Sequence, residues 1–148
     1  MSKQVLIVED SHTQAAILRN YFEALGYEVN VAYSGAEALL VAGRLNPDII
    51  VLDYQLPDMD GAEVCKKLKQ ELYLRIIPVI IYSAENKLRS MVNSYEVGAN
   101  YYVVKDGESM QVLQILIETI FSRRVNRAPN FRLSAPPQPP NGFGTVSA

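Results

Sequence analysis

The sequence predicts an α/β domain whose parallel sheet is covered by helices on both faces, and three observations predict it. Short, almost wholly apolar runs alternate with longer segments whose apolar residues recur every three or four positions. Runs apolar throughout are what strands buried on both faces require. The alternation repeats as five strand–helix units. Finally, the apolar runs end in chemistry: Val5-Leu6-Ile7-Val8 meets Glu9-Asp10, Ile49-Ile50-Val51-Leu52 meets Asp53, Val79-Ile80-Ile81-Tyr82 meets Ser83-Ala84, and Tyr101 to Val104 meets Lys105. In an open parallel sheet the carboxyl ends of the strands share one edge, where ligands bind.

The elements follow in order. The first strand is expected over about 4–9. Ser11 stands three residues before Gln14, a capping-box spacing that opens a helix. Ile17, Leu18, Tyr21, Phe22 and Leu25 form its apolar stripe, and Gly26 is placed to end it in a left-handed conformation. The second strand, about 28–33, sets Val29, Val31 and Tyr33 against Glu28 and Asn30. That partial alternation suits an edge strand. Ser34 with Glu37 is a second capping box, and the helix behind it runs to about Leu45, where Asn46-Pro47 breaks it. The third strand is 48–53. A loop from Tyr54 to Gly61 precedes a helix to about Leu72, with Val64, Cys65, Leu68 and Leu72 facing inward.

Pro78 opens the fourth strand. The fourth helix is expected over about 86–97, with Leu88, Met91, Val92 and Tyr95 as its apolar residues. The fifth strand is 101–105. The fifth helix, about 108–123, carries Val112, Leu113, Leu116, Ile117, Ile120 and Phe121. Five such units predict a flavodoxin-like doubly wound sheet with strand order 2-1-3-4-5 and five helices. From about Asn126 the character changes. Ala135-Pro136-Pro137-Gln138-Pro139-Pro140-Asn141-Gly142 reads as a polyproline-type or disordered tail, so the folded domain is expected over 1–124 and a tail or linker over 125–148.

A chain of 148 residues is long enough for one domain with a core. No apolar run approaches the roughly 18–20 residues of a membrane helix, and Met1-Ser2-Lys3-Gln4 leads straight into a strand, so no signal peptide is expected. Cys65 is the only cysteine, which rules out an internal disulfide and a cysteine-built metal site and fits a reducing cytoplasm. Its neighbours Val64 and Leu68 mark it as packing. The net charge of −2 is uneven: no acid follows Glu118, whereas Arg123, Arg124, Arg127 and Arg132 do. Residues 1–121 therefore carry ten basic against sixteen acidic side chains. An acidic body lacks the basic face that nucleic acid requires.

Folding gathers Glu9, Asp10 and Asp53 with Ser83 and Lys105 in one crevice. Carboxylates so close repel unless a cation or proton intervenes. The pattern points to a divalent metal site, to a carboxylate nucleophile, or to both.

Glu9-Asp10, Asp53, the loop Leu56-Pro57-Asp58-Met59-Asp60-Gly61, Ser83-Ala84 and Lys105, each at a strand's end and in this order, resemble the receiver domain of two-component response regulators over about residues 3–122. The resemblance implies that Asp53 is a phosphoacceptor, a carboxylate that attacks the phosphorus of a phosphohistidine and becomes an acyl phosphate. It implies Mg²⁺ held by Asp10, Asp53 and the backbone carbonyl of Gln55, with Glu9 acting mainly through water; hard oxygens and few protein ligands suit that ion. Lys105 and Ser83 are implied to touch the phosphoryl group, with Ala84 leaving room for it. Tyr102, three residues before Lys105, occupies the switch-aromatic position. The implied partners are a histidine kinase or phosphotransfer protein, and an output domain or partner on the face formed by the fourth helix, fifth strand and fifth helix. A homodimer is also compatible with the pattern.

Two departures stand out. Asp106 follows Lys105 where the family usually has proline, so a trans peptide is expected there, since cis before a non-proline costs about 2.5–4 kcal/mol; Asp106 is also suited to cap the last helix. Gln55 and Glu85, two residues beyond Asp53 and Ser83, stand where the family tunes the lifetime of the acyl phosphate. Competing readings fit less well. A carboxylate-nucleophile phosphohydrolase usually has a second Asp where this chain has Gln55. A flavin or nucleotide binder needs a phosphate-cradling loop where Glu9-Asp10 would repel phosphate. A degenerate receiver used only for protein interaction sits poorly with an intact acidic triad.

Overall fold

The computed structural model describes the backbone of residues 2–127 and the side chains of 2–123. The proline-rich segment and Arg132 lie outside the described residues. Five strands, β1 (Gln4–Val8), β2 (Glu28–Ala32), β3 (Ile49–Leu52), β4 (Val79–Ser83) and β5 (Tyr101–Val104), alternate with five helices, α1 (His12–Ala24), α2 (Gly35–Leu45), α3 (Gly61–Gln70), α4 (Leu88–Glu96) and α5 (Ser109–Arg127). The strands form one parallel sheet in the order β2-β1-β3-β4-β5, as predicted, with β2 at an edge.

The register sets Leu6 beside Ile50 and Ile50 beside Val79, and Val8 beside Leu52 and Leu52 beside Ile81. These side chains share a face and form one core with Ala38 and Ala42 of α2 and Val64, Cys65 and Leu68 of α3. The alternate residues Val5, Ile7, Ile49, Val51 and Ile80 point to the other face, where α1 buries Ala15, Leu18 and Phe22. The chain forms two compact units, Met1–Leu113 and the segment from Gln114 onward. The first holds the sheet, α1–α4 and the opening of α5. In the second the described part continues α5 to Arg127, three residues past the expected domain limit, and the Gln114 amide donates to Glu118 at 3.1 Å.

The N-caps act as the sequence indicates, but neither capping box closes: Ser11 accepts from the Gln14 N–H and Ser34 from the Glu37 N–H, while the Gln14 side chain accepts from Lys105 and that of Glu37 from the Tyr33 N–H. Gly26 follows α1 with φ +97°, and Asn46 caps α2 with φ 49°, both left-handed. Burial pushes the Cys65 thiol up to about 11, which makes it an inert core residue.

Two expectations need correction, and a further helix buries a side that the sequence reading left unassigned. Helix α3 ends at Gln70 and Leu72 is exposed; the chain turns over 71–77 and buries Leu74 and Ile77 in its place. On α1, Ile17 and Leu25 face water, because Ala15, Leu18 and Phe22 already fill the contact with the sheet. Helix α4 starts at Leu88, and its apolar residues Leu88, Val92 and Tyr95 are exposed. Its buried side is Ser90 and Ser94. Ser90 donates to the Glu85 carboxylate at 3.1 Å and Ser94 to the Ser90 carbonyl at 2.8 Å, so these hydroxyls are satisfied inside and the apolar residues are left outside.

Candidate functional site

Three of the site residues are fixed by main-chain bonds between neighbouring strand ends. The N–H of Glu9 donates to the Ala32 carbonyl at 3.0 Å, that of Asp53 to Val8 at 2.9 Å, and that of Lys105 to Ser83 at 2.9 Å. The result is a crevice of about 280 Å³ at the carboxyl edge, lined by Glu9, Asp10, Ser11, Gln14, Asp53, Gln55, Ala84 and Lys105.

The Lys105 ammonium bridges the crevice. Its Nζ donates to Glu9 Oε1 at 2.8 Å, to Asp53 Oδ2 at 3.0 Å and to Gln14 Oε1 at 2.8 Å, which uses all three of its protons. Asp53 Oδ1 accepts from the Ser83 hydroxyl at 2.6 Å and from the Gln55 N–H at 3.0 Å. Glu9 Oε2 accepts from the Ser11 N–H at 3.0 Å. Asp10 is exposed on the rim.

Electrostatics divide the two buried carboxyls. Burial pushes Asp53 up, but the Ser83 hydroxyl, the Gln55 N–H and the Lys105 ammonium together outweigh it and hold the carboxyl below its ordinary value. Burial also raises Glu9, and there it prevails over Lys105 and the Ser11 N–H. For Lys105 burial acts downward, but Glu9 and Asp53 prevail and keep it charged beyond its ordinary range. Asp53 is thus an anion at neutral pH, and Glu9 shares the Lys105 ammonium with it.

Behind Asp53, Gly61 opens α3 against the end of β3. A Cβ at that position would meet the Asp53 carbonyl oxygen at 2.6 Å and Tyr54 Cα at 2.8 Å, so only glycine lets the helix begin there. Asp60 caps α3 by accepting from the Glu63 N–H at 2.8 Å, and Asp58 accepts from the N–H groups of Gly35 and Ala36. The loop between β3 and α3 thereby holds two helix starts.

A second chain of contacts leads away from the crevice. The Ser83 hydroxyl accepts from the Glu85 N–H at 3.2 Å, and the Glu85 carbonyl accepts from the Tyr102 phenol at 2.6 Å. The Glu85 carboxylate accepts from Gln55 Nε2 at 3.2 Å and from Ser90 of α4 at 3.1 Å. Tyr102 shares a face with Ile81, and its ring centroid lies 6.4 Å from that of Tyr54.

Among the described residues no cluster of three or more His, Cys, Asp or Glu side chains is placed to hold a metal. The donors that line the crevice are the carboxylates of Asp10 and Asp53 together with Gln55, with space beside them. Two hard carboxylates with room for water beside them fit Mg²⁺, which keeps several waters and takes few protein ligands.

The structure brings together Glu9, Asp10, Asp53, Gln55, Ser83 and Lys105 in or beside the crevice, and puts Tyr102 one contact away through Glu85. Sequence reasoning missed Gln14 as a partner of Lys105, a contact between residues 91 apart in the chain. It also missed the three-way junction at Glu85, which depends on a main-chain carbonyl.

A family model for the response regulator receiver domain matches residues 5–117. The chain belongs to that family, the receiver domains of two-component signalling. It is 35% identical over 130 residues to the alkaline phosphatase synthesis transcriptional regulatory protein PhoP of Bacillus subtilis, a match that covers 88% of this chain and 53% of that protein. It is 46% identical over 84 residues to the polar-differentiation response regulator DivK of Brucella ovis, covering 57% of this chain and 68% of DivK. Among solved structures, the chemotaxis response regulator CheY4 of Vibrio cholerae superposes with a TM-score of 0.73 at 27% identity, covering 80% of this chain and 98% of that one. The chain spans about half the length of PhoP and 23% of the response regulator PleD of Caulobacter vibrioides.

Proposed function

We propose that this receiver accepts a phosphoryl group on Asp53 from the phosphohistidine of a histidine kinase or phosphotransfer protein, in a Mg²⁺-dependent reaction. One observation supports this above the rest. A buried carboxylate held ionised by Ser83, Gln55 and Lys105 faces an open crevice. One oxygen of Asp53 attacks phosphorus. The P–N bond breaks with its electron pair returning to the imidazole, and an acyl phosphate remains. Asp10, Asp53 and the Gln55 carbonyl would hold Mg²⁺, with Glu9 acting through water and through Lys105. When bound, the ion neutralises charge on the transferring oxygens. Lys105 supplies a point charge and Ser83 a hydroxyl to the new phosphoryl group. Ala84 leaves the approach open.

The signal then runs through Ser83, Glu85 and Tyr102 to α4, β5 and the start of α5. A phosphoryl group that draws the Ser83 hydroxyl alters its contact with the Glu85 N–H, and the Glu85 carbonyl carries Tyr102. Such a bistable element shifts only by the differential affinity of its two states. The proposed receiver unit is 1–124, with the proline-rich remainder a tail or linker. Its output is a partner or domain on the α4–β5–α5 side, homodimers included, in the cytoplasm and without nucleic acid or membrane contact by this domain. Intact mass after acetyl phosphate and Mg²⁺ tests the assignment: the wild-type gains one labile phosphoryl mass and Asp53→Asn gains none. An unchanged gain in Asp53→Asn overturns it.

A further inference from the structure

We propose that Ser109, pinned by Tyr82, is a positioning residue for Lys105, and that its hydroxyl does by hydrogen bonding what a proline ring after the lysine would do by covalent constraint. The role rests on Asp53 as the phosphoacceptor and Lys105 as its cationic neighbour.

Lys105 lies between two peptide planes. The plane before it is held because the Lys105 N–H donates to the Ser83 carbonyl at 2.9 Å. The plane after it is the trans Lys105–Asp106 peptide, whose N–H donates to the Ser109 hydroxyl at 3.0 Å. That hydroxyl in turn donates to the Asp106 carbonyl at 2.9 Å. Its single proton is therefore committed, so the Tyr82 phenol, 2.7 Å away, is the donor in the remaining contact. The Ser109 oxygen has given its proton and filled both acceptor sites, in a place where Ser109 is 2% and Tyr82 6% exposed. The Asp106 carboxylate accepts from the Glu108 N–H at 3.0 Å and closes the same turn.

Proline at 106 would fix its own φ but has no N–H to offer. Asp106 leaves φ free and supplies the N–H, and a buried hydroxyl takes it up. A cap for α5 would need only the serine. The phenol explains more. Tyr82 and Ser83 are consecutive residues of β4, so one strand end carries both restraints on Lys105 while the Ser83 side chain holds Asp53. The ring of Tyr82 also lies beneath the ammonium, 5.5 Å from its centroid. The lysine backbone is thus referenced to the strand that contacts the nucleophile.

The test compares Ser109→Ala and Tyr82→Phe with wild-type by the affinity for beryllofluoride in saturating Mg²⁺, the affinity for Mg²⁺ alone, and hydrogen exchange of the Asp106 amide. Tyr82→Phe keeps the ring and removes only the hydroxyl. A lysine released from one buried hydrogen-bond restraint is expected to bind beryllofluoride about tenfold more weakly in Ser109→Ala. The loss in Tyr82→Phe is expected to be smaller. Mg²⁺ affinity should be unchanged and Asp106 exchange accelerated in both. Wild-type beryllofluoride affinity in a variant whose Asp106 amide has lost protection overturns the positioning role alone. If Ser109→Ala does not fold, Tyr82→Phe carries the same comparison. A wild-type protein that takes up no beryllofluoride overturns the phosphoacceptor reading, and this role with it.

Discussion

Replacing Lys105 by methionine keeps an aliphatic stem of similar length and removes the ammonium that two buried carboxyls share. Glu9 is 3% and Asp53 7% exposed, so neither is well hydrated. Stripping one partner from a buried pair costs about 3–5 kcal/mol when the survivor stays charged. Glu9 has a way out, because it can take a proton, and burial already holds its carboxyl above the ordinary 4.5. At about 1.36 kcal/mol per pH unit, protonating a carboxyl of that ordinary value costs about 3.4 kcal/mol at pH 7 and about 0.7 kcal/mol at pH 5. Those figures cap the penalty from Glu9. The Lys105 side chain is 20% exposed, so water reaches the gap and the loss at pH 7 should be about 2–3 kcal/mol.

The sign follows from linkage. In the variant the folded-state pKa of Glu9 rises further. A raised carboxyl favours the fold below its unfolded value and loses that contribution as pH climbs through the folded one. The Glu9 share of the deficit against wild-type should therefore fall below about 1 kcal/mol at pH 5, while the share from Asp53, which Ser83 and Gln55 still hold ionised there, remains. Urea unfolding at the two pH values, with m checked for constancy, measures it. Adding Glu9→Gln should recover most of the pH 7 loss. Equal deficits at pH 5 and pH 7, or no recovery with Glu9→Gln, would refute this account of the crevice.

Ser83→Ala removes the 2.6 Å donor to Asp53. It should raise the Asp53 carboxyl in an NMR titration and cost about 1–2 kcal/mol of stability above the carboxylate range, with the loss vanishing below it, as the sign for a depressed acid requires. Gly61→Ala sets a Cβ 2.6 Å from the Asp53 carbonyl, so a cost of about 1–3 kcal/mol and amide shifts centred on residues 53–55 are expected; unchanged spectra would contradict the close approach. Asp10→Ala should abolish Mg²⁺-induced shifts at residues 53–55 while leaving the protein folded at equal or higher stability, because a like charge is relieved. Shifts that persist unchanged would place the metal elsewhere.

Much of the architecture was legible because the dominant physics was local. Apolar strands, capping pairs at Ser11 and Ser34, and the stops at Gly26 and Asn46 are all written in consecutive residues. Strand ends that carry Glu9, Asp53, Ser83 and Lys105 were legible for the same reason: parallel topology alone collects them. The errors arose where periodicity is silent about which side of a helix meets the sheet. On α4 the spacing of Leu88, Val92 and Tyr95 is a valid stripe, but the body receives the other one, Ser90 and Ser94. Gln14, the main-chain role of Glu85 and the Tyr82–Ser109 pair depend on contacts between residues far apart in sequence, which no local pattern records.

The serine-lined side of α4 also bears on how the molecule breathes. This helix has nine residues, its N-cap Lys87 makes no side-chain capping bond, and one of its inward hydroxyls folds back on its own ladder. Helix α2, by contrast, is held at its start by Ser34 and Asp58. Lifting α4 would uncover less oily surface than lifting a helix with an apolar inner side, since Leu88, Val92 and Tyr95 are already exposed. The hydrophobic penalty that normally resists a sub-global opening is therefore small for this helix. In native-state hydrogen exchange the α4 amides should open well below the global unfolding free energy, ahead of those of α2. The segment joined to Glu85 through Ser90 and to Tyr102 through Tyr95 is thus one that the hydrophobic effect restrains only lightly.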